Sequence, residues 1–492
     1  MSRINTNVSA LIAQHNLARA NDDLNTRLEH LSTGLRISRG ADDPAGLIVS
    51  ERLRSEITGV TQAIDNAGRA SNVIATSEAA LSEISTLLTT IKGLTIEAAN
   101  RGAFSDTEVQ ANQLQIDSAV DSITRISNTT SFAGLKLLNG SLDYLTSGVN
   151  PSEIQDVKVF GANFGTATNI PVNVEVLNSA QTANLYIDGD LAGTGGTLVS
   201  SVTFELKGTK GVEVLSFVSG QAMSAIAFAI NQVNDATGVS ASLVNPANPG
   251  SGIMLSSQAY GSDAFVAIEQ VADQGRVAAN FGTFEDSGFS IAKERDTGED
   301  VLALINGNLA LGKGRSIGLR SSLLNIEMNL TVAAATTLGN YSFAITGGGA
   351  TYQIGQSIDS SNQVGFGIQS VAASKLGADA LGFLNSIVSG GDNSLINRNE
   401  AQASQIVDSA INQIAFMRGR LGSFERNTLQ TSIRSQQIAL ENLTASESQI
   451  RDTDFAKETA ALTRSQILVR AGTSTLALAN STAQSVLSLL GQ

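Results

Sequence analysis

The sequence predicts an α+β protein, in which long coiled-coil or bundle helices from both chain ends frame a β-rich central insert. Two observations support this prediction. Apolar residues recur every seven positions near both chain ends, and valines alternate with polar residues in the centre. A seven-residue repeat is typical of helices that pack on other helices, whereas alternation is typical of strands with one buried face. Helices at both ends and strands between them indicate that the termini meet and the centre projects away.

The clearest helical stripe is the C-terminal one, over residues 457–490. Its apolar positions are Leu462, Val469, Leu476, Ala483 and Leu490, with Val486 close by. This stripe offers the area of a coiled-coil seam and not that of a globular core, so the helix is expected to be marginal alone. Gly472 is its interior weak point, because glycine is a poor helix former. We therefore expect this helix to pack against another.

A second striped helix is predicted over residues 4–37. Leu17, Leu24 and Leu31 keep the seven-residue step, with Leu28 and Leu35 beside them. One interpretation is an amphipathic helix lying on a globular core. The other is that it pairs with the C-terminal stripe, since both carry the same period and both lie at a chain end.

Three further helices and a long β-rich stretch lie between these ends. Helical spacing predicts helices over 45–100, 106–127 and 399–450, while turn residues and alternating valines predict strands from about 128 to 377 with one helix at 221–234. We divide the chain into three domains. These are a terminal coiled-coil domain (1–44 with 451–492), a helical rod domain with a β-hairpin (45–176 with 380–450), and a surface-exposed β-rich insert of one or two modules (177–379).

Composition excludes several classes of function. The net charge of −14 argues against binding to nucleic acid or to an anionic membrane. Cysteine is absent and His15 and His30 are the only histidines, which leaves little for a metal site or a Ser-His-Asp arrangement. No apolar run approaches the ~18 residues that span a bilayer, and the N-terminus lacks the apolar core of a cleaved signal peptide. We expect no cofactor and no enzymatic activity.

Two short motifs allow a chemical and a structural interpretation. Asp42, Asp43 and Glu51 are compatible with paired catalytic carboxylates or a cation site, but helix capping is favoured because Pro44 follows. The glycines at 347–349 lack the Lys-Ser/Thr that a phosphate loop needs, so a turn between strands is favoured.

Each end of the chain carries a segment with a recognisable motif. The N-terminal segment, residues 28–57, reads LEHLSTGLRISRGADDPAGLIVSERLRSEI, and it resembles the N-terminal signature of the bacterial flagellin family. Residues 427–490 are similar to its C-terminal signature, in the segments LENL, SQIRDTD, AGTS and VLSLL. Residues 211–267 resemble a small module found in some flagellin inserts and hook-associated proteins. The resemblance is specific over about 1–140 and 400–492.

The resemblance implies a subunit that is exported unfolded by the flagellar type III apparatus and polymerises outside the cell into the swimming filament. It implies an inner tube of terminal helices, an outer tube of rod helices and a solvent-facing insert. The implied partners are copies of the chain, an export chaperone at the C-terminal helix, the filament cap and hook-associated proteins. The residues expected at the assembly seam are Leu17, Leu24, Leu28, Leu31, Leu35, Leu462, Val469, Leu476, Val486 and Leu490.

The sequence departs from the commonest flagellin pattern at two places. Ala483 stands where many relatives have proline, which leaves the helix unbroken. Flagellins recognised by the vertebrate Toll-like flagellin receptor carry an arginine near the position of Thr90 and a glutamate near Gln115, while Leu94 is retained. We therefore expect weak receptor activation, since a charge-assisted contact worth ~1.5–3 kcal/mol is missing.

Two other functions remain open on the sequence. A hook–filament junction protein shares the terminal signatures. An adhesin or secreted enzyme would carry its activity in residues 180–380, where the absence of His and Cys excludes an HExxH zinc site but leaves carboxylate chemistry available.

Overall fold

The computed structural model describes residues 6–165, 167–188, 196–198, 201–271, 283–286, 293–321, 323–379 and 381–490, and for 483, 484 and 486–490 only the course of the helix. The chain divides into two compact units. The first comprises residues 1–72, 353–358 and 422–492, and the second comprises 73–352 and 359–421. Among the described residues, no helix is both long enough and apolar enough to cross a bilayer.

The first unit is helical. Its helices are α1 (Val8–Thr33), the first part of α2 (Pro44–Ala99), α8 (Gln430–Arg451) and α9 (Phe455–Leu490). Helices α1 and α9 pack against each other, so the pairing predicted from their matched stripes is present. Asn7 caps α1, because its side-chain oxygen accepts a hydrogen bond from the Ala10 amide at 3.0 Å.

Helix α1 ends at Thr33, four residues before the predicted end. Gly34 adopts the left-handed conformation (φ 75°), and its N–H donates to the His30 carbonyl, which closes the helix. Leu35 therefore does not continue the helical stripe, and its place in the predicted seam needs correction. It forms an isolated β-bridge with Asp452, next to which the Thr453 N–H donates to the Gly34 carbonyl at 2.9 Å. The two segments that connect to the terminal helices are thus joined by backbone hydrogen bonds.

The predicted rod helix over 399–450 consists of three consecutive segments. α7 (Glu400–Phe424) is followed by a π-helical turn (Glu425–Leu429) and then by α8. A π-turn has one more residue per turn than an α-helix and changes the direction of the side chains that follow. In the first unit the Ser71 hydroxyl of α2 donates to the Glu425 carboxylate of this turn at 2.7 Å.

The second unit combines a helical bundle with β-sheets. Its bundle consists of the later part of α2, α3 (Asp106–Thr129) and the larger part of α7. Ser105 and Glu108 form a capping box at the start of α3. The core comes from apolar residues at helical spacing, among them Leu81, Ile84, Leu88, Ile91, Ile116, Val120, Ile123, Ile406, Ile414 and Leu421. The second unit also contains the short helices α4 (Met223–Gln232), α5 (Asn234–Thr237) and α6 (Val332–Thr336).

The described strands, in chain order, are β1 (Ser131–Phe132), β2 (Leu135–Lys136), β3 (Tyr144–Ser147), β4 (Ile154–Ala162), β5 (Ile170–Asn178), β6 (Thr182–Ile187), β7 (Val202–Gly208), β8 (Val212–Phe217), β9 (Val239–Leu243), β10 (Ile253–Tyr260), β11 (Phe265–Gln270), β12 (Thr283–Phe284), β13 (Arg295–Thr297), β14 (Leu302–Ile305), β15 (Asn308–Lys313), β16 (Ser316–Arg320), β17 (Leu324–Leu330), β18 (Asn340–Gly348), β19 (Ala350–Gln353), β20 (Gln363–Phe366), β21 (Gly377–Ala378) and β22 (Gly382–Phe383). The predicted glycine turn at 347–349 is confirmed, since all three glycines have positive φ: Gly347 and Gly348 end β18, and Gly349 links it to β19.

Sixteen of these strands form two β-modules with separate cores, and the other six form the two-stranded sheets β1-β2, β19-β20 and β21-β22. The first β-module is an antiparallel sheet of eight strands in the order β3-β18-β5-β14-β15-β16-β17-β4. The second β-module contains two four-stranded sheets, β12-β6-β10-β9 and β13-β11-β7-β8, together with α4. In the chain, the second β-module lies between β5 and β14. The predicted domain boundary at 176–177 differs from this arrangement, because it falls inside β5 and separates β3 and β4 from their own sheet.

Glycines allow close packing at the junction of the two β-modules. A Cβ on Gly261 would lie 2.4 Å from Oδ1 of Asp300, and one on Gly298 would lie 2.5 Å from the Gln181 carbonyl oxygen. The Asp300 carboxylate accepts hydrogen bonds from the Ser262 amide at 2.9 Å and from the Gly314 amide at 2.7 Å. Burial raises the pKa of Asp300, but a hydrogen bond from the Ser262 hydroxyl, the two amide hydrogen bonds and the charge of Lys313 together outweigh burial, and the net shift is downward.

Arg420 of α7 fixes the first β-module to the helical bundle. Its guanidinium carbon lies 3.8 Å from the ring centroid of Phe160 and 5.0 Å from that of Phe366. The side chain also donates to the Phe160 carbonyl at 3.3 Å. Burial lowers the pKa of Arg420 to about 10, so the group stays protonated at neutral pH and contributes cation–π attraction in a dry setting.

Candidate assembly surface

The candidate functional site is the terminal hairpin, defined as α1 and α9 of the first unit. Six of the predicted seam side chains are half-buried there: Leu17, Leu24 and Leu31 on α1, and Leu462, Val469 and Leu476 on α9. Leu28 is exposed, and Leu35 lies beyond the end of α1. The side chains of Val486 and Leu490 lie outside the described residues. A half-buried leucine stripe leaves much apolar area for contact with other molecules.

The two helices approach each other closely at Gly472. A Cβ on this residue would lie 3.2 Å from Cδ1 of Leu17, which is tighter than an ordinary van der Waals contact. Nearer the chain ends, the Asn7 side-chain amide donates to the Ala479 carbonyl at 2.9 Å. Gly472 thus lets Leu17 lie against the α9 backbone, so the weak point of the sequence is the place where the hairpin is narrowest.

A polar network that the sequence analysis missed joins the two helices. Nδ1 of His30 lies 2.8 Å from Oε1 of Glu458, and the Arg27 guanidinium donates to the same oxygen at 3.2 Å. Arg27 also donates to Asp23 at 3.1 Å, and the Ser465 hydroxyl donates to the other Asp23 oxygen. His30 is 8% exposed, Glu458 7% and Ser465 1%. Such a network fixes the register of two helices more sharply than leucines alone.

The network shifts the pKa values of Asp23 and Arg27. The hydrogen bond from Ser465 lowers the pKa of Asp23, and the nearby Arg27 guanidinium lowers it further, against a smaller effect of burial. Arg27 responds in the opposite sense. Burial lowers the Arg27 pKa, but the hydrogen bond and charge of Glu458 outweigh burial and raise it. Asp23 and Arg27 are therefore both charged at neutral pH.

The hairpin exposes several large apolar side chains on its outward faces. On α1, Leu11 is 66% exposed and Ile12 is 57% exposed, and on α9, Ile467 is 61% and Leu478 is 65% exposed. Val8, Leu28, Phe455 and Leu468 are also exposed. We call these eight residues the outward apolar set. Singly exposed apolar residues are ordinary, but so many on one two-helix element indicate a surface that other molecules cover.

Comparison with known proteins agrees with both helical ends. Residues 4–143 match the family described as bacterial flagellin N-terminal helical region, and residues 404–490 match the bacterial flagellin C-terminal helical region. The chain is 30% identical to the B-type flagellin of Pseudomonas aeruginosa and 30% identical to flagellin A of Vibrio cholerae, each alignment covering 99% of both chains. The chain belongs to the bacterial flagellin family. It is a structural subunit of the flagellar filament, and the hook-associated alternative has less support.

A third family match covers part of the second β-module. Residues 203–258 match the flagellin hook IN motif. In the flagellin fold described above, this segment runs from β7 to β10 within the second β-module and includes α4. The central region is thus divided into two parts. The first β-module has β3, β4 and β5 among its strands, and the second β-module carries the IN motif.

The three residues assigned to an innate-receptor face of this flagellin lie on α2 and α3 of the second unit. Thr90 is exposed, and its hydroxyl donates to the Thr86 carbonyl of the preceding turn at 3.1 Å. Leu94 is half-buried and Gln115 is exposed. The neighbouring Gln113 is buried and accepts from the Leu395 amide at 2.8 Å.

The acidic motif near the start of α2 has a capping role. The Asp43 carboxylate accepts from the Gly46 amide at 2.9 Å, in the first turn of α2. Asp42 accepts from the amides of Ser38 and Arg39 at 3.0 and 2.8 Å, which orders the turn before the helix. The capping interpretation of this motif is therefore confirmed for Asp43 at the helix start, while Asp42 caps the turn before it.

Proposed function

We propose that the terminal hairpin is the joint of the filament, and that neighbouring copies bury its outward apolar set during polymerisation. The observation that carries this proposal is the exposure of eight large apolar side chains on a two-helix element. Complete burial of a leucine or isoleucine contributes ~1.5–3 kcal/mol. Residues that already lie partly in contact contribute less, but several together supply the free energy of a stable subunit contact.

The hairpin has two layers with different roles in this proposal. The inner layer comprises the half-buried stripe and the polar network, and it holds α1 against α9. The outer layer comprises the outward apolar set, and it contacts other subunits. The predicted seam residues of the inner layer act on assembly by shaping the hairpin, whereas Leu28 belongs to the outer layer.

The test substitutes the outer layer alone. Ile467→Asp and Leu468→Asp place a charge on the exposed face of α9, and Gln466→Glu is a matched control because Gln466 is a neighbouring exposed residue. We expect seeded filament growth, measured by sedimentation and negative-stain microscopy, to be lost in both aspartate variants and retained in the control. Filaments of normal length and yield from Leu468→Asp would refute the two-layer proposal.

A second test addresses the inner layer. Leu476→Asp places a charge in the half-buried stripe, and we expect filaments to be abolished while the β-modules remain resistant to protease. Limited proteolysis measures how accessible the terminal helices are to cleavage. Rapid cleavage of the terminal helices in the monomer, and protection in filaments, is the expected result. A protease-resistant monomer that ignores filament seeds would contradict it.

We also propose that the exposed face of α9 binds the flagellar export chaperone before assembly, and that the cap and hook-associated proteins contact the chain at the growing and starting ends of the filament. Export of the chain to the outside of the cell is part of the same proposal. Calorimetry of the purified export chaperone with the full chain should give binding that Leu468→Asp weakens and Gln466→Glu does not.

Weak activation of the Toll-like flagellin receptor is the final part of the proposal. Thr90 and Gln115 are exposed and uncharged at the positions where recognised flagellins carry arginine and glutamate. In a cell reporter assay, the double variant Thr90→Arg/Gln115→Glu should respond at a lower monomer concentration than the natural chain, by about tenfold or more. A full-strength response of the natural chain would contradict the proposal.

A further inference from the structure

The outer face of the first β-module carries a cluster of exposed leucines. Leu302 is 40% exposed, Leu309 is 62% and Leu311 is 76%. Leu304 is half-buried beside them. We call these four residues the leucine patch. No part of the patch belongs to the terminal hairpin, so its role is separate from the assembly surface described above.

Strand register shows that the patch is continuous. Leu304 of β14 lies directly opposite Leu309 of β15, and Ala303 opposite Ala310. Because side chains alternate between faces, the two buried alanines face the core and the leucines on either side face outward. Leu302 and Leu311 therefore form the next cross-strand pair on the outer face. Gly318 of β16 lies opposite Leu311 and has no side chain to cover it.

Charged residues of opposite sign flank the patch. Glu175 of β5 lies opposite Leu304 and is exposed. Arg320 lies two positions beyond Gly318 on β16, and is exposed on the same face. In the described part of the chain, neither of these two side chains has an ion-pair partner, whereas the nearby Lys313 pairs with Asp263 at 2.9 Å. A row of side chains across β5, β14, β15 and β16 therefore consists of Glu175, Leu304, Leu309 and Arg320. Its two ends carry opposite charges and its centre is apolar.

We propose that the leucine patch packs face to face against the same patch of a second copy of the chain. A two-fold axis parallel to the strands reverses the order of strands in the partner, so that Glu175 of each copy faces Arg320 of the other. The leucines of the two copies then meet at the centre of the contact. A two-fold axis across the strands would instead oppose like charges, which is unfavourable. Charge complementarity thus selects both the partner and the orientation.

The test uses the full-length chain and measures association by sedimentation velocity over a range of concentrations. To separate this contact from filament growth, the chain carries Leu468→Asp. We expect a reversible dimer in this background. The addition of Leu309→Asp and Leu311→Asp should raise the dissociation constant at least about tenfold, while Leu338→Asp should not change it. Leu338 is the matched control because it is 69% exposed elsewhere in the same unit.

A charge swap tests the orientation without disturbing the leucines. Glu175→Arg alone should weaken the dimer, and Glu175→Arg with Arg320→Glu should restore it. A chain that stays monomeric at every concentration would overturn the proposal, as would a dimer that the leucine variants leave unchanged. Failure of the double swap to restore association would overturn the stated two-fold orientation. Loss of filaments in the Leu468→Asp background bears only on the terminal hairpin, so the two proposals are tested separately.

Discussion

His30 on α1 and Glu458 on α9 are separated by 428 residues in the chain, and their side chains meet at 2.8 Å in a buried contact. Arg27 donates to the same carboxylate from one turn earlier on α1. The contact fixes the register of α1 relative to α9. Removal of the Glu458 carboxylate should lower the stability of the hairpin, because His30 and Arg27 would lose their shared hydrogen-bond acceptor.

Glu458→Gln is expected to destabilise the terminal hairpin by about 3 kcal/mol, since it leaves buried partners without their charge. If hairpin formation is part of polymerisation, the critical concentration for seeded growth should rise about 100-fold. Glu29→Gln is the matched control. Glu29 pairs with Arg39 at the surface, where solvent screens the ion pair and leaves it little effect on stability. Equal effects of the two substitutions would contradict a special role for the buried pair.

Gly472→Ala and Gly472→Ile should have opposite outcomes. The closest atom to an added Cβ is the flexible end of Leu17 at 3.2 Å, while the Cβ and Cα of Leu17 lie at ordinary contact distances of 3.5 and 3.7 Å. Alanine also gains about 1 kcal/mol of helix propensity over glycine. We therefore expect the alanine variant to polymerise as well as the natural chain or better. Isoleucine adds atoms that the narrow hairpin cannot hold, and its filaments should melt at lower temperature. Thermal depolymerisation followed by light scattering measures both, and tolerance of isoleucine would rule out the close approach.

Acid should weaken the hairpin through Asp23. Its pKa in the folded chain is lowered, chiefly by the Ser465 hydrogen bond, so its stabilising contribution is present above its unfolded pKa of about 3.9. That contribution is lost as the pH falls through the lower folded pKa. Asp23→Asn should therefore flatten the loss of filament stability below about pH 4. An identical acid profile for Asp23→Asn and the natural chain would count against this assignment, since Glu29 and Asp42 also have lowered pKa values and remain in both.

Gly367→Ala should destabilise the first β-module by about 2 kcal/mol, because it overpacks a closed site. A Cβ on Gly367 would lie 2.8 Å from the ring of the buried Tyr144, whose hydroxyl accepts from the Ala162 amide at 2.9 Å. Gly318→Ala is the control, since its nearest neighbour would lie 3.6 Å away. Urea unfolding followed by tyrosine fluorescence suits this chain, which has five tyrosines and no tryptophan. Similar midpoints for both variants would exclude a tight site around Tyr144.

The sequence was most informative where a helical period repeats over many turns. The seven-residue steps through Leu17 and Leu476 correctly predicted that helices from both ends pair. The helix end at Gly34 was placed too late, because a glycine C-cap depends on one left-handed residue that periodicity does not record. The link between His30 and Glu458 could not be read from the sequence, since no local pattern relates residues so far apart.

The centre was harder to predict for a physical reason. Strand partners are set by long-range register, and the sequence shows only alternation along each strand. Val172, Val174 and Val176 indicated a strand, but not that β5 lies between β18 and β14 in the sheet. The leucine patch depends on the same register, because Leu302 and Leu311 become neighbours only when β14 and β15 pair.

The strand pairing of Asn178 with Leu302 determines how readily the second β-module can be exchanged. The chain leaves the first β-module at Asn178 and returns at Leu302, and these residues are register partners on adjacent strands. Paired residues in an antiparallel sheet have Cα atoms about 5 Å apart. Any foreign domain whose two ends lie that close can be spliced between them with the eight-stranded sheet intact. The second β-module can therefore be exchanged as a unit, by natural variation or for engineered display, while the sequence of the terminal helices stays the same.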